Sequence, residues 1–467
     1  MENSQVYVGE NSQVYVGLDI GTTLIKVLVC ENVKGQLKVV GTGVQPSAGL
    51  NRGVIVDIDK TAQAISRAVA EAAAKSGIDI KKVVVALPAN YLQMGHVHGM
   101  ITIASQGQSR EIVNQDVIDV AQSTLTQNLP PEREIIDLVP QEFTVDGFKG
   151  IKDPRGMVGV RLELAATLYT GPKTIVHNTK KAVEQAGLQI QDLVVSPIAT
   201  GFNLLNDGEQ DFGTLVVDMG GGQTTASIIH DHQLKFVYVD PEGGQLVTRD
   251  ISTVLNTSMR NAERLKRDHG YADSRMADEN VQLAVDVVGQ NQPVEYSEKY
   301  LAEIIEARIR QIFQRISNRL KEVHAPNLPG GVILLGGVTA LPGVVELAKE
   351  YFTTNVKTFV PEQMGVRHPG FALAIALGMY EDHLNDIDRL LKQTVQQGAL
   401  IMSPHQAEQP RKLETTRSYY QESYQKPMPD ASSEPQQAKE EPMTPEKPVK
   451  KPKSKGGIKR FLENFFD

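Results

Sequence analysis

The chain has 467 residues, a formal net charge of -8 and no tryptophan, and 40% of its residues are hydrophobic. A chain of this length is expected to form more than one domain. Its negative charge argues against a nucleic-acid binder, because a phosphate backbone attracts basic surfaces. The single cysteine, Cys30, cannot form an internal disulfide, and the N-terminus shows no signal-peptide pattern. We therefore expect a protein of the reduced cytosol that is neither exported nor membrane-spanning.

The N-terminus carries the octapeptide ENSQVYVG twice in tandem, at residues 2–9 and 10–17, and we predict a disordered, duplicated tail over residues 1–13. From Val14 to Val40, three apolar runs separated by glycine-containing turns predict three consecutive strands. Residues 60–76 have apolar positions at helical spacing and end at Gly77, which predicts a helix with a glycine stop. Together with the apolar run KKVVVALP, these elements make residues 14–87 the first part of a first lobe.

Residues 88–168 interrupt this rhythm with polar strand-like pieces and one helix candidate, and we predict a small inserted α+β subdomain there. Helix and strand patterns then resume, so residues 169–200 form the second part of the first lobe. Residues 201–369 predict a second lobe with a helix-rich part at 244–323, and residues 370–397 a closing helix of the first lobe. Residues 398–455 are rich in Pro, Gln, Glu and Lys and poor in aliphatic side chains, which predicts a disordered linker.

Two segments share one pattern: an apolar strand, an aspartate, a glycine-containing turn and hydroxyl residues. Glycines let backbone N–H groups approach phosphate oxygens, hydroxyls add donors, and an aspartate at a strand end can hold Mg²⁺ directly or through water. Neither segment is a Walker A loop, because no GK[ST] follows the glycines. The candidate phosphate-binding residues are Asp19, Gly21, Thr22, Thr23, Asp218, Gly220, Gly221, Gly222 and Thr224, and the candidate metal ligands are Asp19 and Asp218.

Each of these segments alone also fits an ordinary hairpin with a glycine turn. Since one copy stands at the start of each predicted lobe, we expect both to face a single cleft and to hold one nucleotide from opposite sides. The sequence here resembles the superfamily of actin, DnaK-type chaperones and sugar kinases, which implies an α/β, two-lobed actin-like ATPase fold that binds ATP with Mg²⁺. The small inserted α+β subdomain, the disordered C-terminal linker and a terminal amphipathic helix are additions to that fold.

The superfamily resemblance implies further nucleotide contacts. By residue pattern alone, the glutamate and lysine among them also fit a solvated ion pair, and the strand lysine also fits an exposed surface residue. The implied residues are Gly336, Gly337 and Thr339 under the adenosine, Glu263 and Lys266 at the ribose and base, and Lys26 at the phosphates.

The most specific resemblance lies in the inserted segment. The stretches IIDLVPQEFTVDG and GIKDPRGMVGVRLE resemble the FtsA family of cell-division proteins. That resemblance implies a protein that polymerises, anchors filaments of the tubulin-like FtsZ to the membrane at the division septum, and recruits later division proteins. In the family the FtsZ C-terminal peptide docks on the helix-rich part of the second lobe, where Arg308 falls at a matching position. By composition alone, this Arg- and Glu-rich helix is a solvated face.

Ser196 departs from the superfamily pattern, since DnaK-type chaperones place a catalytic glutamate before the proline of this connecting helix. Activation of water needs a positioned acceptor, so we expect ATP binding with at most slow hydrolysis. Two alternatives stay open: a pilus-assembly-type actin homologue, and a chaperone- or sugar-kinase-type enzyme whose turnover is its purpose.

Residues 456–467, GGIKRFLENFFD, predict an amphipathic helix. Its apolar residues form one stripe and lysines precede it, as expected of a helix that lies on an anionic leaflet. The alternatives are a helix that folds back onto the protein and one that fills a partner's groove. We predict a peripheral protein on the cytoplasmic side of the cell membrane, with the membrane-contacting residues Ile458, Lys459, Arg460, Phe461, Leu462, Phe465 and Phe466.

Overall fold

The computed structural model describes residues 13–402, except residues 34–35, 105–107, 126–128, 326–327 and 353, with side chains up to residue 396. Within this part, the chain forms two five-stranded sheets and one four-stranded sheet, each with helices packed against it. No helix of these residues is long and apolar enough to cross a membrane. The predicted tail before residue 13, the linker beyond residue 402 and the terminal helix lie outside the described residues.

The first lobe begins with an antiparallel meander of three strands, as the three apolar runs predicted, and a fourth strand then pairs parallel to the first. The helix after the meander begins where Asp57 accepts a hydrogen bond from the Lys60 backbone N–H. It ends at Gly77, whose φ of 71° is the left-handed conformation that glycine adopts without strain. The elements are β1 (Gln13–Ile20), β2 (Leu24–Val33), β3 (Gln36–Pro46), β4 (Leu50–Asn51), β5 (Val54–Ile55), α1 (Ile58–Ser76) and β6 (Lys82–Leu87).

The insert is the small α+β subdomain that the sequence predicted. Four of its strands form an antiparallel sheet, one helix covers this sheet, and residues such as Val120, Phe143 and Leu162 form a hydrophobic core of its own. Its elements are β7 (Gln93–Thr102), β8 (Arg110–Glu111), α2 (Asn114–Leu125), β9 (Arg133–Val145), β10 (Phe148–Ile151), β11 (Val158–Gly159) and β12 (Arg161–Pro172).

After the insert, the chain completes the first lobe and then builds the second. The returning elements are α3 (Lys173–Gln185), β13 (Gln189–Val195), α4 (Ser196–Leu204) and α5 (Asp207–Phe212). The second lobe consists of β14 (Thr214–Met219), β15 (Thr224–His230), β16 (Gln233–Asp240), α6 (Gly244–Val254), α7 (Met259–His269), β17 (Gln282–Val285), β18 (Val294–Ser297), α8 (Glu298–Glu322), β19 (Gly331–Leu335), α9 (Val344–Lys349) and β20 (Val356–Thr358).

The two five-stranded sheets repeat one topology. The first has the order β3-β2-β1-β6-β13 and the second the order β16-β15-β14-β19-β20. In each, three antiparallel strands are followed by two strands that pair in parallel. The turns β1–β2 and β14–β15 are therefore equivalent, and these are the two glycine-containing turns that the sequence singled out.

Residues 370–397 form two helices rather than the single closing helix that we predicted. α10 (Ala372–His383) packs against β1 and α4, whereas Ile387, Leu391 and Val395 of α11 (Asp386–Met402) join the core of the insert. Because α11 continues to Met402, the linker does not begin at residue 398 as predicted.

A buried lysine on α11 joins the insert to the first lobe. Lys392 Nζ lies 2.8 Å from Asp137 Oδ2 on β9 and 3.0 Å from Asp192 Oδ2 on β13. Burial alone would lower the pKa of Lys392, but Asp137, Tyr380 and Asp192 raise it well above its ordinary value. One cation thus holds carboxylates from two separate sheets.

Candidate functional site

A cavity of about 710 Å³ lies between the two lobes, at the ends of the equivalent strands β1 and β14. This volume is in the range of pockets that bind small molecules. Residues 21–23, residues 220–222, residues 336–337 and part of α7 line it. The cavity therefore brings together the three glycine turns that were predicted from the sequence.

The first two glycine turns touch each other across the cleft. A Cβ atom placed on Gly221 would collide with Thr23, and a Cβ atom placed on Gly222 would collide with Thr22. Only glycine allows this approach, and it leaves the backbone of the second turn uncovered by side chains. Such a turn is suited to holding phosphate oxygens with its N–H groups.

Two carboxylates lie beside these turns. Asp19 is buried, and its Oδ2 accepts a hydrogen bond from Lys26 Nζ at 2.7 Å. The Lys26 side chain is 14% exposed and lines the cavity, so it is not the exposed strand lysine of the alternative interpretation. Burial raises the pKa of Asp218 to about 6, and the charge of Asp19 adds to this, while Lys26 opposes it. Asp218 is therefore a carboxylate whose charge is incompletely compensated.

The carboxylates beside the turns suit Mg²⁺, which keeps waters and substrate phosphates as ligands, better than a metal ion whose ligands all come from the protein. Among the described residues, no group of three or more His, Cys, Asp or Glu side chains is placed to hold a metal ion. Mg²⁺ is commonly held by one or two carboxylates together with waters and the phosphates of a substrate. The undercompensated Asp218 near Asp19 supplies such a pair.

The third glycine turn passes directly beneath Asp218. Gly336 has a φ of 90°, and a Cβ atom there would lie 2.5 Å from both Asp218 Oδ1 and the Met219 carbonyl oxygen. Gly337 also lines the cavity, but Thr339 does not. Thr339 is buried, and its hydroxyl donates to the Gly336 carbonyl at 2.8 Å. The prediction for Thr339 is thus corrected: it closes the turn rather than facing a ligand.

The predicted pair on α7 also lines the cavity. Lys266 Nζ lies 2.6 Å from Glu263 Oε2 and donates to Thr248 Oγ1 at 2.8 Å and to the Gly244 carbonyl at 3.0 Å. Burial lowers the pKa of Lys266, and the charge of Glu263 opposes this. The lysine side chain is only 12% exposed, so the pair is not the solvated ion pair of the alternative interpretation.

Thr224 does not face the cavity, contrary to our prediction. It is fully buried, and its hydroxyl donates to the Glu242 carbonyl at 2.9 Å, whereas the next residue, Thr225, lines the cavity. Successive side chains of a strand point to opposite faces. A shift of one residue along the strand therefore decides between the core, where Thr224 lies, and the cavity, where Thr225 lies.

The hairpin of β4 and β5, which was not predicted from the sequence, closes one side of the cavity. The Gly53 N–H donates to Thr22 Oγ1 at 2.9 Å, and a Cβ atom on Gly53 would lie 2.5 Å from Gln223 Oε1. Both Gly53 and Gln223 line the cavity. The signal in the sequence is Asn51-Arg52-Gly53 between two short apolar pairs, and in the structure both Arg52 and Gly53 have positive φ.

Arg308 is not the residue of a solvated helix face that composition alone predicted. Its side chain is buried, with Nε 2.7 Å from Asp250 Oδ2 and Nη1 2.8 Å from Glu242 Oε2. It does not line the cavity. With these contacts, little of Arg308 is accessible to a partner.

Comparison with known proteins places the insert and the second lobe in one family. A family model described as cell division protein FtsA matches residues 215–376, and a model described as an SHS2 domain inserted in FTSA matches residues 89–170. The cell division protein FtsA of Enterococcus hirae is 48% identical over 451 residues, which cover 97% of this chain and 98% of that protein. The one of Enterococcus faecalis is 53% identical over 379 residues, covering 81% and 86%.

A solved structure, that of the PilM-PilN type IV pilus biogenesis complex, matches with a TM-score of 0.55. The match covers 78% of this chain and 98% of the other, at 18% identity, and so shows a shared fold alone. By its sequence relatives, its two-lobed actin-like fold and its inserted SHS2 domain, the chain belongs to the FtsA family of cell-division proteins.

Proposed function

We propose that the chain binds ATP with Mg²⁺ in the cleft between its lobes. The observation that carries this proposal is the meeting of three glycine turns and two carboxylates around one cavity. Residues 21–23 and 220–222 hold the phosphates, and Asp19 and Asp218 hold the metal ion. Glu263, Lys266 and the turn at residues 336–337 contact the adenosine.

The proposal is tested by titration calorimetry of the unmodified protein with ATP, in Mg²⁺ and in EDTA. Gly222→Ala adds a methyl group where Thr22 already lies, so it should weaken ATP binding at least about tenfold, the loss expected when one phosphate hydrogen bond is misplaced. Gly95→Ala is the matched control, because a Cβ atom on Gly95 meets nothing within 4 Å. An unmodified protein that takes up no ATP would refute the proposal.

We propose further that hydrolysis of the bound ATP is slow. Ser196 begins α4 and lines the cavity where a DnaK-type chaperone has its catalytic glutamate. Of the three carboxylates that line the cavity in the described part of the chain, Asp19 is paired with Lys26, Glu263 is paired with Lys266, and Asp218 is assigned to the metal ion. Phosphate release at about 10 s⁻¹, which is typical of enzymes, would contradict this proposal, and ADP formation that requires an added sugar would favour the sugar-kinase-type alternative.

We propose that the chain polymerises, connects FtsZ filaments to the cytoplasmic face of the cell membrane at the septum, and recruits later division proteins. Membership of the FtsA family supports this, together with the amphipathic pattern of residues 456–467. The sequence pattern of the residues between the globular part and residue 456 predicts a linker, and such a linker would span roughly 40 Å. So short a helix binds weakly alone, but many copies presented by one filament bind a surface with high avidity.

The FtsZ connection is tested by a pull-down with the FtsZ C-terminal peptide and a scrambled peptide as control. Arg308→Glu is unsuited to this experiment, since it would place a carboxylate against Asp250 and Glu242 inside the protein. The unmodified protein therefore carries the test, and no capture by the FtsZ peptide would contradict the adaptor function.

A further inference from the structure

A cluster of buried and half-buried charges lies behind the second glycine turn. It consists of Asp240, Glu242, Asp250, Arg308 and Arg315, and we call it the arginine clamp. Arg308 binds Asp250 through two hydrogen bonds, from Nε at 2.7 Å and from Nη2 at 3.1 Å, and also binds Glu242 at 2.8 Å. The clamp therefore anchors α6 and the end of β16 to α8.

Arg315, two turns further along α8, completes the clamp. Its Nε lies 2.6 Å from Asp240 Oδ2, and its Nη2 binds Glu242 Oε2. Glu242 is thus shared by both arginines. Burial raises the pKa of Asp240 and of Asp250, and the arginine hydrogen bonds oppose this. Such buried ionic networks contribute less to net stability than their Coulomb attraction indicates, so a role in positioning is the stronger explanation.

The segment held by the clamp supports the glycine turn at residues 220–222. The Gly244 N–H donates to the Gly220 carbonyl at 2.9 Å, and the Gln245 N–H donates to the Gly221 carbonyl at 2.8 Å. A Cβ atom on Gly243 would strike the Gly220 carbonyl oxygen and lie 2.9 Å from the Gln223 nitrogen. The segment from Glu242 to Gln245 is therefore in direct contact with the back of the turn.

The same segment reaches the adenosine side of the cavity. The Gly244 carbonyl accepts a hydrogen bond from Lys266 Nζ at 3.0 Å, and the Glu242 carbonyl accepts one from Thr224 at 2.9 Å. The clamp thus lies one step away from both halves of the proposed nucleotide site, although neither arginine lines the cavity.

We propose that Arg308 and Arg315 are positioning residues for phosphate binding: by holding Asp240 and Glu242, they fix the place of the glycine turn at residues 220–222. This inference rests on the proposed binding of ATP. A guanidinium group binds two carboxylates at once in a planar fork, whereas a lysine ammonium does not reproduce that geometry. When the arginine is replaced, the turn at residues 220–222 can move relative to Asp218. The phosphates of ATP then lose hydrogen bonds to this turn, whereas adenosine makes none to it.

The test compares Arg315→Met and Arg315→Lys with the control Arg319→Met. Arg319 lies one turn further along the same helix, is 48% exposed and pairs only locally, with Glu322. We expect Arg315→Met to weaken ATP binding roughly tenfold and adenosine binding by a smaller factor, because the clamped segment makes two hydrogen bonds to the glycine turn and one to Lys266. Arg315→Lys should be intermediate, and the control should match the unmodified protein. A purely structural role would lower the unfolding temperature but leave the ratio of ATP to adenosine affinity unchanged, and that result would overturn the inference.

Hydrogen exchange without nucleotide gives a second readout that does not depend on ATP. The Gly244 and Gln245 amides, which donate to the glycine turn, should exchange faster in Arg315→Lys and Arg315→Met than in the control. Unchanged exchange in a folded Arg315→Lys protein would overturn the inference, even where the methionine variant fails to fold. If the unmodified protein binds no ATP but the exchange changes as expected, the proposed function fails while the mechanical link between α8 and the turn stands.

Discussion

Replacement of Asp218 by asparagine should make the nucleotide-free protein more stable. The pKa of Asp218 rises from 3.8 to about 6 through burial and the charge of Asp19. A shift of about two pKa units corresponds to about 3 kcal/mol at about 1.4 kcal/mol per unit. The carboxylate is an acid with a raised folded-state pKa, so the folded protein binds the extra proton and loses stability as the pH rises through this window. At pH 8 the ionised Asp218 lowers the free energy of unfolding by this full amount, and an amide in place of the carboxylate removes the loss.

Chemical unfolding of the metal-free protein at pH 8 and pH 5 measures this effect. Asp218→Asn should raise the free energy of unfolding by about 3 kcal/mol at pH 8 and by roughly half as much at pH 5, where the native carboxyl already holds its proton. Asp79→Asn is the control, because Asp79 is 78% exposed. A variant that is less stable than the unmodified protein at pH 8, or equally stabilised at both pH values, would refute the reasoning.

Asp218→Asn should also abolish the contribution of Mg²⁺ to ATP binding, since Asp218 is proposed to hold the metal ion. In the unmodified protein, ATP with Mg²⁺ should raise the unfolding temperature more than ATP with EDTA, since a ligand that binds only the native state stabilises it. In Asp218→Asn the two conditions should give the same shift. An undiminished effect of Mg²⁺ in this variant would exclude Asp218 as a metal ligand.

Two further predictions concern the connections outside the cleft. Lys392→Met leaves Asp137 and Asp192 buried without their cation, so it should lower the free energy of unfolding in urea by about 3–5 kcal/mol. Adding Asp137→Asn and Asp192→Asn should recover most of this loss. A triple variant as unstable as the single one would contradict the explanation. The stability lost in Lys392→Met should become smaller at low pH, because Asp192 then takes up a proton and no longer buries a charge. Burial already raises the pKa of Asp192, and removal of the lysine raises it further. Replacing Phe461 and Phe465 by glutamate should release the protein from anionic liposomes while ATP binding is unchanged, and unaltered co-sedimentation would rule out the membrane helix.

The phosphate turns were predictable because their signal is local. Strand, aspartate, glycine turn and hydroxyl residues occupy consecutive positions, and the pattern occurs once at the start of each lobe. The contacts of Gly221 with Thr23 and of Gly222 with Thr22 then explain why glycine stands at those positions. The hairpin at Gly53 was missed because its contact with Thr22 joins segments whose sequences contain no shared motif.

Arg308 shows why charge composition misled the prediction for α8. A helix rich in Arg and Glu is solvated by default, but in the folded protein this arginine pairs with Asp250 of α6 and with Glu242, which lies between β16 and α6. Both partners are more than fifty positions away from Arg308 in the chain. The helical spacing from Ile304 and Ile312 does place Arg308 on the buried face of α8, but it does not reveal the distant carboxylates that pair with it there.

By itself, the sequence determined the two-lobed plan, the insert and the glycine turns, because apolar periodicity and glycine spacing are properties of short segments. Only the tertiary structure decided that Thr225 rather than Thr224 faces the cavity, that α11 packs on the insert, and that the charge of Asp218 is incompletely compensated. These outcomes depend on which distant groups meet at one place and on how much water they exclude. Burial and electrostatic compensation are therefore set by the packing of the whole chain.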